Sequence, residues 1–139
     1  MRRFLAVLLV LGACSKDSTG PSIPSLAGSW TMTWSNMNAT GITCQTSAIP
    51  VSINQTSATF SGQYGSGTLT CNNGTPGTFT GGTIVNGNIQ GNTVTFDLDT
   101  PDYHQNGTIG GTSMSGSATW HVSVSGTTYI LNGSWGAGR

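Results

Sequence analysis

Charged side chains are scarce in this sequence. The 139 residues include four Lys or Arg and four Asp or Glu, which gives a formal net charge of zero. Beyond residue 25, the only acids are Asp97, Asp99 and Asp102, and the only strong base is Arg139. Recognition of nucleic acids depends on clustered Lys and Arg that neutralise phosphates. We therefore expect no nucleic-acid partner.

Recognisable catalytic motifs are missing as well. No serine or cysteine lies in a nucleophile elbow, and two histidines among many serines do not indicate a triad. His121 follows Trp120 and by alternation lies on the other, outer face of its strand. We expect a protein that is not an enzyme and that holds no cofactor.

One acidic cluster is a weak candidate for a metal site. Asp97, Asp99, Asp102 and His104 crowd around one predicted hairpin, and alternation places Asp97 and Asp99 on a shared face. Such carboxylates could hold calcium, but no EF-hand spacing accompanies them. A solvated polar rim explains them equally well, and we predict no metal.

Long apolar runs are absent after residue 14, and the one notable run lies at the N-terminus. Arg2 and Arg3 precede a short apolar stretch from Phe4 to Leu11 that is too short to span a bilayer as a helix. This order is typical of an export signal, here residues 1–13. An ordinary secretory signal cleaved nearby, or an uncleaved helix, is the alternative.

The end of this signal, Leu11-Gly12-Ala13-Cys14, resembles the lipobox of bacterial lipoproteins. The resemblance implies cleavage before Cys14 and attachment of acyl chains such as palmitate, so that the protein is anchored to a membrane of the cell envelope. It also implies that Ser15, where an aspartate would favour the inner membrane, directs the protein to the outer membrane. Residues 14–25 contain Pro21 and Pro24 and read as a flexible tether.

With Cys14 lipidated, Cys44 and Cys71 remain as an even pair in an oxidising compartment. They predict one disulfide. Closing a loop of this length is worth roughly 3 kcal/mol by the chain-entropy estimate.

Residues 26–139 alternate between apolar and polar side chains, which predicts an all-β domain. Short turns such as Gly91-Asn92 and Gly110-Gly111 indicate hairpins, so neighbouring strands should pair antiparallel in a meander. Glycine recurs inside strands in a loose apolar-polar-glycine repeat, as the coiling of a small closed barrel requires. We predict an up-and-down barrel of about 8 strands, in the range 8–10, with a β-sandwich as the alternative. The repeat ends at Gly62, Gly81, Gly91, Gly116 and Gly133.

Gly28-Ser29-Trp30 in the first predicted strand resembles the Gly-x-Trp opening of the calycin superfamily, which includes the lipocalins, fatty-acid-binding proteins and avidins. The resemblance implies a barrel whose floor contains Trp30 packed against a basic side chain from the last strand. Arg139 would fill that place. No ligand residues of those families map onto this chain.

Four aromatic residues lie on the apolar phase near strand ends: Trp34, Tyr64, Tyr103 and Trp120. At a barrel mouth they would stack on a small apolar or aromatic ligand or on a sugar ring. The alternative is that they only fill a small barrel, which about eight strands do without leaving a cavity. An envelope-structural or adhesion module, which needs no pocket, is the rival function.

Overall fold

The computed structural model describes residues 22–74, 76–124 and 126–139. The predicted signal peptide, the lipobox with Cys14, and the first part of the tether lie outside these residues. The described residues form strands and connecting turns, and none of them belongs to a helix that is long and apolar enough to cross a membrane. The strands are β1 (Gly28–Ala39), β2 (Ile42–Thr46), β3 (Ile49–Thr56), β4 (Thr59–Tyr64), β5 (Gly67–Cys71), β6 (Pro76–Phe79), β7 (Gly82–Gln90), β8 (Thr93–Leu98), β9 (Thr100–Gly110), β10 (Ser113–Val124) and β11 (Thr127–Gly138).

Eight of these strands close into an antiparallel barrel, which confirms the predicted fold and excludes the sandwich. The order around the ring is β11-β10-β9-β8-β7-β4-β3-β1, and β1 pairs with β11 to close it. At this seam Trp34 lies opposite Trp135. Closure leaves these eight strands without a free edge. Their backbone groups are therefore not available to pair with strands of another molecule, which would be a risk in a chain rich in threonine.

The remaining strands, β2, β5 and β6, form a small sheet outside the ring that we call the cap. Thr40 and Gly41, both with positive φ, form the turn between β1 and β2. The end of β1 pairs with β2, and its beginning pairs with β3. β2 then pairs with β5, and β5 with β6. With five and four residues, β2 and β6 are too short to show a clear alternation in the sequence.

The predicted disulfide lies inside the cap. Cys44 of β2 stands opposite Cys71 of β5, and their sulfur atoms are bonded. The bridge therefore joins two strands that share only three paired positions. It reinforces the cap, whose strand β2 is paired with β1 of the barrel at three positions.

The barrel interior is filled by the inward phase of its strands. Phe96 packs between Phe60 and Trp135, with ring centroids 5.9 and 5.2 Å apart. Trp34, Met32, Met37, Ile49 and Val94 are fully buried. This packing is expected of a ring of eight strands, whose lumen is about as wide as the side chains that line it.

Glycines of the repeat allow strands to approach closely. A methyl group at Gly116 would overlap the carbonyl oxygen of Asn106, and one at Gly62 would overlap that of Ser52. Gly133 and Gly81 are also too crowded for a methyl group, though less so, whereas Gly91 lies in a turn with φ +61°. The repeat therefore serves close packing of the wall at four positions and a turn at the fifth.

Gly116→Ala is expected to lower the free energy of unfolding by about 1–3 kcal/mol, because the added methyl must push the backbone of β9 outward. Gly136→Ala is the matched control, since the nearest atom to its methyl would be 3.9 Å away. Urea unfolding of both variants measures the difference. Equal destabilisation of the two would contradict this explanation of the repeat.

The floor of the barrel lies where β1 begins and β11 ends. The indole N–H of Trp30 donates to the carbonyl of Leu26 at 2.7 Å, and the guanidinium of Arg139 lies 4.6 Å from the centroid of the Trp30 ring. The same guanidinium donates to the carbonyls of Ser25 and Ala27, at 3.0 and 3.1 Å. Arg139, directly after β11, thus holds the segment that leads into β1, in the contact that the Gly-x-Trp resemblance implies.

Candidate functional site

An aromatic cluster occupies the opposite end of the barrel, the mouth. The structure brings together Trp34, Tyr64 and Trp120 around a fourth ring, Phe79 of the cap, with centroids 5.2, 5.5 and 5.6 Å from it. Tyr103 meets the edge of Trp120 at 5.9 Å. All four aromatic residues singled out from the sequence therefore lie in one cluster.

The strands place these rings by simple alternation. Trp34 lies on the inward phase of β1, and Tyr64 is the last residue of β4. Tyr103 and Trp120 stand opposite each other on β9 and β10. Tyr64 and Tyr103 lie near strand ends as expected, whereas Trp34 and Trp120 are the seventh and eighth residues of twelve-residue strands. The expectation that all four lie near strand ends is therefore wrong for the two tryptophans.

A cavity of about 250 Å³ opens beside this cluster. Its walls include Tyr64, Phe79, Leu98, Asp99, Tyr103 and Trp120. Ligand pockets usually measure roughly 300–1,000 Å³, so this one suits a single ring rather than a large ligand.

The four tryptophans of the chain differ in whether their indole N–H has a hydrogen-bond acceptor. The indole N–H groups of Trp30, Trp34 and Trp135 donate to Leu26 O, Gln105 Oε1 and Asn106 O, at 2.7, 2.9 and 3.2 Å. That of Trp120 is buried and has no acceptor in the described part of the chain. An unpaired buried donor costs about 1–3 kcal/mol, so Trp120 Nε1 is the polar atom of this site that an added acceptor would stabilise most.

Asp99 forms the polar side of the cavity. Its φ is +57°, which is uncommon for a residue other than glycine and turns the chain out of β8. Its carboxylate accepts the backbone N–H of Thr83 at 2.6 Å, the Thr83 hydroxyl at 3.0 Å and the hydroxyl of Tyr64. Oδ1 of Asp99 is thus bound to Thr83, and Oδ2 holds the Tyr64 hydroxyl in its place in the cluster.

These contacts move two pKa values in opposite directions. Burial first, then the hydrogen bond and the charge of Asp99, raise the pKa of Tyr64, so its hydroxyl remains a donor. Partial burial alone would raise the pKa of Asp99, but the hydrogen bonds from Thr83 and Tyr64 outweigh it and hold that pKa below its usual value. The pair is therefore a neutral phenol bound to a carboxylate at neutral pH.

Acid should weaken the fold through this pair. A carboxylate with a lowered pKa stabilises the folded state above its usual pKa of about 4, and the contribution disappears as the pH falls through the lowered value. We expect the unfolding free energy of the wild type to fall below about pH 4 more steeply than that of Asp99→Asn. Chemical denaturation from pH 7 to pH 2 measures it, and parallel curves would contradict it.

The other acidic candidates lie outside the mouth cluster. His104 Nδ1 is 2.7 Å from Asp97 Oδ1, and Asn86 donates to the other Asp97 oxygen at 2.8 Å. Asp102 and His121 approach to 3.9 Å near the surface. Within residues 22–74, 76–124 and 126–139, no three His, Cys, Asp or Glu side chains are grouped so as to hold a metal.

The expectation that Asp97 and Asp99 share a face is wrong. The register of β8 against β9 shifts between Asp97 and Leu98, and Asp99 adopts a left-handed conformation. The two carboxylates consequently have separate partners, with Asp97 against His104 and Asn86, and Asp99 against Tyr64 and Thr83. Strict alternation fails wherever a bulge adds a residue.

Two residues of the site were not predicted from the sequence. Phe79 belongs to a strand of four residues that begins with Pro76, and nothing in the local pattern indicates that it enters the mouth. Gln105 is fully buried inside the barrel, where it accepts from Trp34 and donates to the carbonyl of Tyr103 at 3.0 Å. A polar residue on the apolar phase of β9 was the available signal for Gln105.

Comparison of the chain with protein-family models, with curated proteins and with solved structures finds no match.

Proposed function

We propose that this protein is a lipid-anchored, non-enzymatic lipoprotein of the bacterial cell envelope, most consistent with the outer membrane, whose lipocalin-like barrel binds a small apolar or aromatic ligand at its mouth. The observation that supports binding best is the buried, unpaired N–H of Trp120 within a cluster of aromatic rings. Stacking on such rings is worth about 0.5–1.5 kcal/mol per pair beyond the area that it buries. An acceptor on the ligand would satisfy the one indole N–H that has no acceptor among the described residues.

The position of the first described residues supports one orientation of the barrel relative to the anchoring membrane. Residues 25–27 are held at the floor by Arg139, and β1 runs from there towards the mouth. A tether from Cys14 would therefore reach the barrel at its floor. The aromatic mouth would open away from the anchoring membrane, towards the compartment from which a ligand arrives.

The ligand hypothesis predicts a selective response of the tryptophan side chains. Titration of ¹⁵N-labelled protein with phenol, quinoline or methyl glucoside should shift the indole N–H signals of Trp34 and Trp120. The signals of Trp30 and Trp135, at the floor and in the filled interior, are internal controls and should stay in place. If none of the three compounds moves the Trp120 signal, the ligand proposal is wrong.

A separate observation favours a structural or adhesion role. Ile42 and Tyr129 are 42% and 37% exposed and line an apolar groove beside Leu131, outside the barrel. Such a groove suits contact with another macromolecule better than a small ligand. This second function would be favoured if Ile42→Ser together with Tyr129→Ser abolished attachment of cells while the mouth bound no ring compound.

A further inference from the structure

Phe79 occupies the centre of the aromatic cluster. Its ring is stacked on Trp120 with 23° between the planes, and it is tilted by 32° and 41° to Trp34 and Tyr64. A flat ring that entered the mouth would find its three stacking partners already in contact with a ring of the same chain. The site is therefore complete only when the ring of Phe79 or another ring lies between them.

The strand that carries Phe79 is weakly held. β6 has four residues, lies at the end of the sheet order and, in the described part of the chain, pairs with β5 alone. Phe79 itself is half-buried, whereas Trp34 and Trp120 are buried. Short edge strands with few backbone hydrogen bonds belong to the least stable parts of a fold. Phe79 can thus leave its position at a lower cost than the other rings of the cluster.

We propose that Phe79 is an internal competitor for the ligand site, and that the ligand is a neutral planar ring bearing a hydrogen-bond acceptor that replaces Phe79 and pairs with Trp120 Nε1. This inference rests on the proposed function and specifies it. Replacing one ring by another conserves the stacking. The net gain comes from the hydrogen bond to the buried indole, which Phe79, having no polar atom in its side chain, cannot make.

The experiment uses two bicyclic probes of nearly the same shape. Quinoline carries an acceptor nitrogen and is neutral at pH 8, and naphthalene carries none. Dissociation constants are measured by calorimetry for the mature wild-type protein and for Phe79→Ala. We expect Phe79→Ala to bind quinoline at least tenfold more tightly than the wild type does, because the competitor is gone. We also expect this variant to prefer quinoline over naphthalene by about tenfold.

Two further variants identify the cause. Leu69→Ala removes a half-buried side chain from β5 of the same cap but not from the mouth, and should bind quinoline as the wild type does. Trp120→Phe in the Phe79→Ala background keeps a ring and loses the N–H, and should bind the two probes equally. Unchanged signals of Trp30 and Trp135 show that each variant is folded, and Phe79→Leu should show a smaller gain in the same direction.

The outcomes separate this inference from the function on which it rests. If the wild type binds quinoline and Phe79→Ala binds it equally or more weakly, the ligand stacks on Phe79 instead of replacing it, and the inference alone is overturned. An equal gain in Leu69→Ala, or an equal affinity of Phe79→Ala for both probes, also overturns it. If neither protein binds either probe, the proposed ligand function falls together with the inference.

Discussion

Trp30→Ala is expected to lower the free energy of unfolding by about 3–5 kcal/mol, the usual cost of truncating a buried tryptophan. Trp30 is 3% exposed, lies at the floor between the start of β1 and the end of β11, and donates its indole N–H to Leu26. Its loss would open a cavity where the ring of strands closes. Ser29→Ala, at the exposed neighbouring position of the same strand, is the control and should change stability by less than about 0.5 kcal/mol.

Arg139 provides the second half of this test. Because Arg139 is exposed, its contact with the Trp30 ring is worth about 0.5–1 kcal/mol. A double-mutant cycle of Trp30→Ala and Arg139→Ala, measured by urea unfolding, should therefore give a coupling energy in that range. Distant residues add within roughly 0.3–0.5 kcal/mol, so a coupling close to zero would show that β1 and the residue after β11 are not linked through this contact.

Cys14→Ser is expected to abolish membrane association altogether. Each buried methylene of an acyl chain contributes about 0.8 kcal/mol, and two or more chains anchor a protein stably, so removal of the only acceptor thiol removes the anchor. Labelling of cells with radioactive palmitate, followed by fractionation, measures this. The control is the double variant Cys44→Ser and Cys71→Ser, which loses the disulfide and should keep the label.

Two results would contradict the anchor. The first is a wild-type protein without palmitate label, and the second is a Cys14→Ser variant that stays in the membrane fraction. A further variant tests the position after the cysteine. In a Gram-negative host, Ser15→Asp should shift the labelled protein from the outer to the inner membrane.

The sequence by itself determined the fold class. Alternation along a strand is a local property with a period of two, so the inward phase of β1, β8 and β10 could be read directly from the order of residues. The pairing of Cys44 with Cys71 followed from counting, since Cys14 was assigned to the anchor. The same inward phase selected Trp34, Tyr64, Tyr103 and Trp120, which the structure brings together at the mouth.

Only the tertiary structure decided what lies between those rings. The order of pairing depends on residues far apart in the chain. β4 pairs with β7 although β5 and β6 lie between them in sequence, and β1 pairs with β3 at its beginning and with β2 at its end. Phe79 reaches the mouth because the cap folds against the barrel. The indole N–H of Trp34 has Gln105 as its acceptor, whereas that of Trp120 has none among the described residues. A periodic pattern specifies the face on which a side chain lies, whereas its partner on another strand depends on closure of the whole ring.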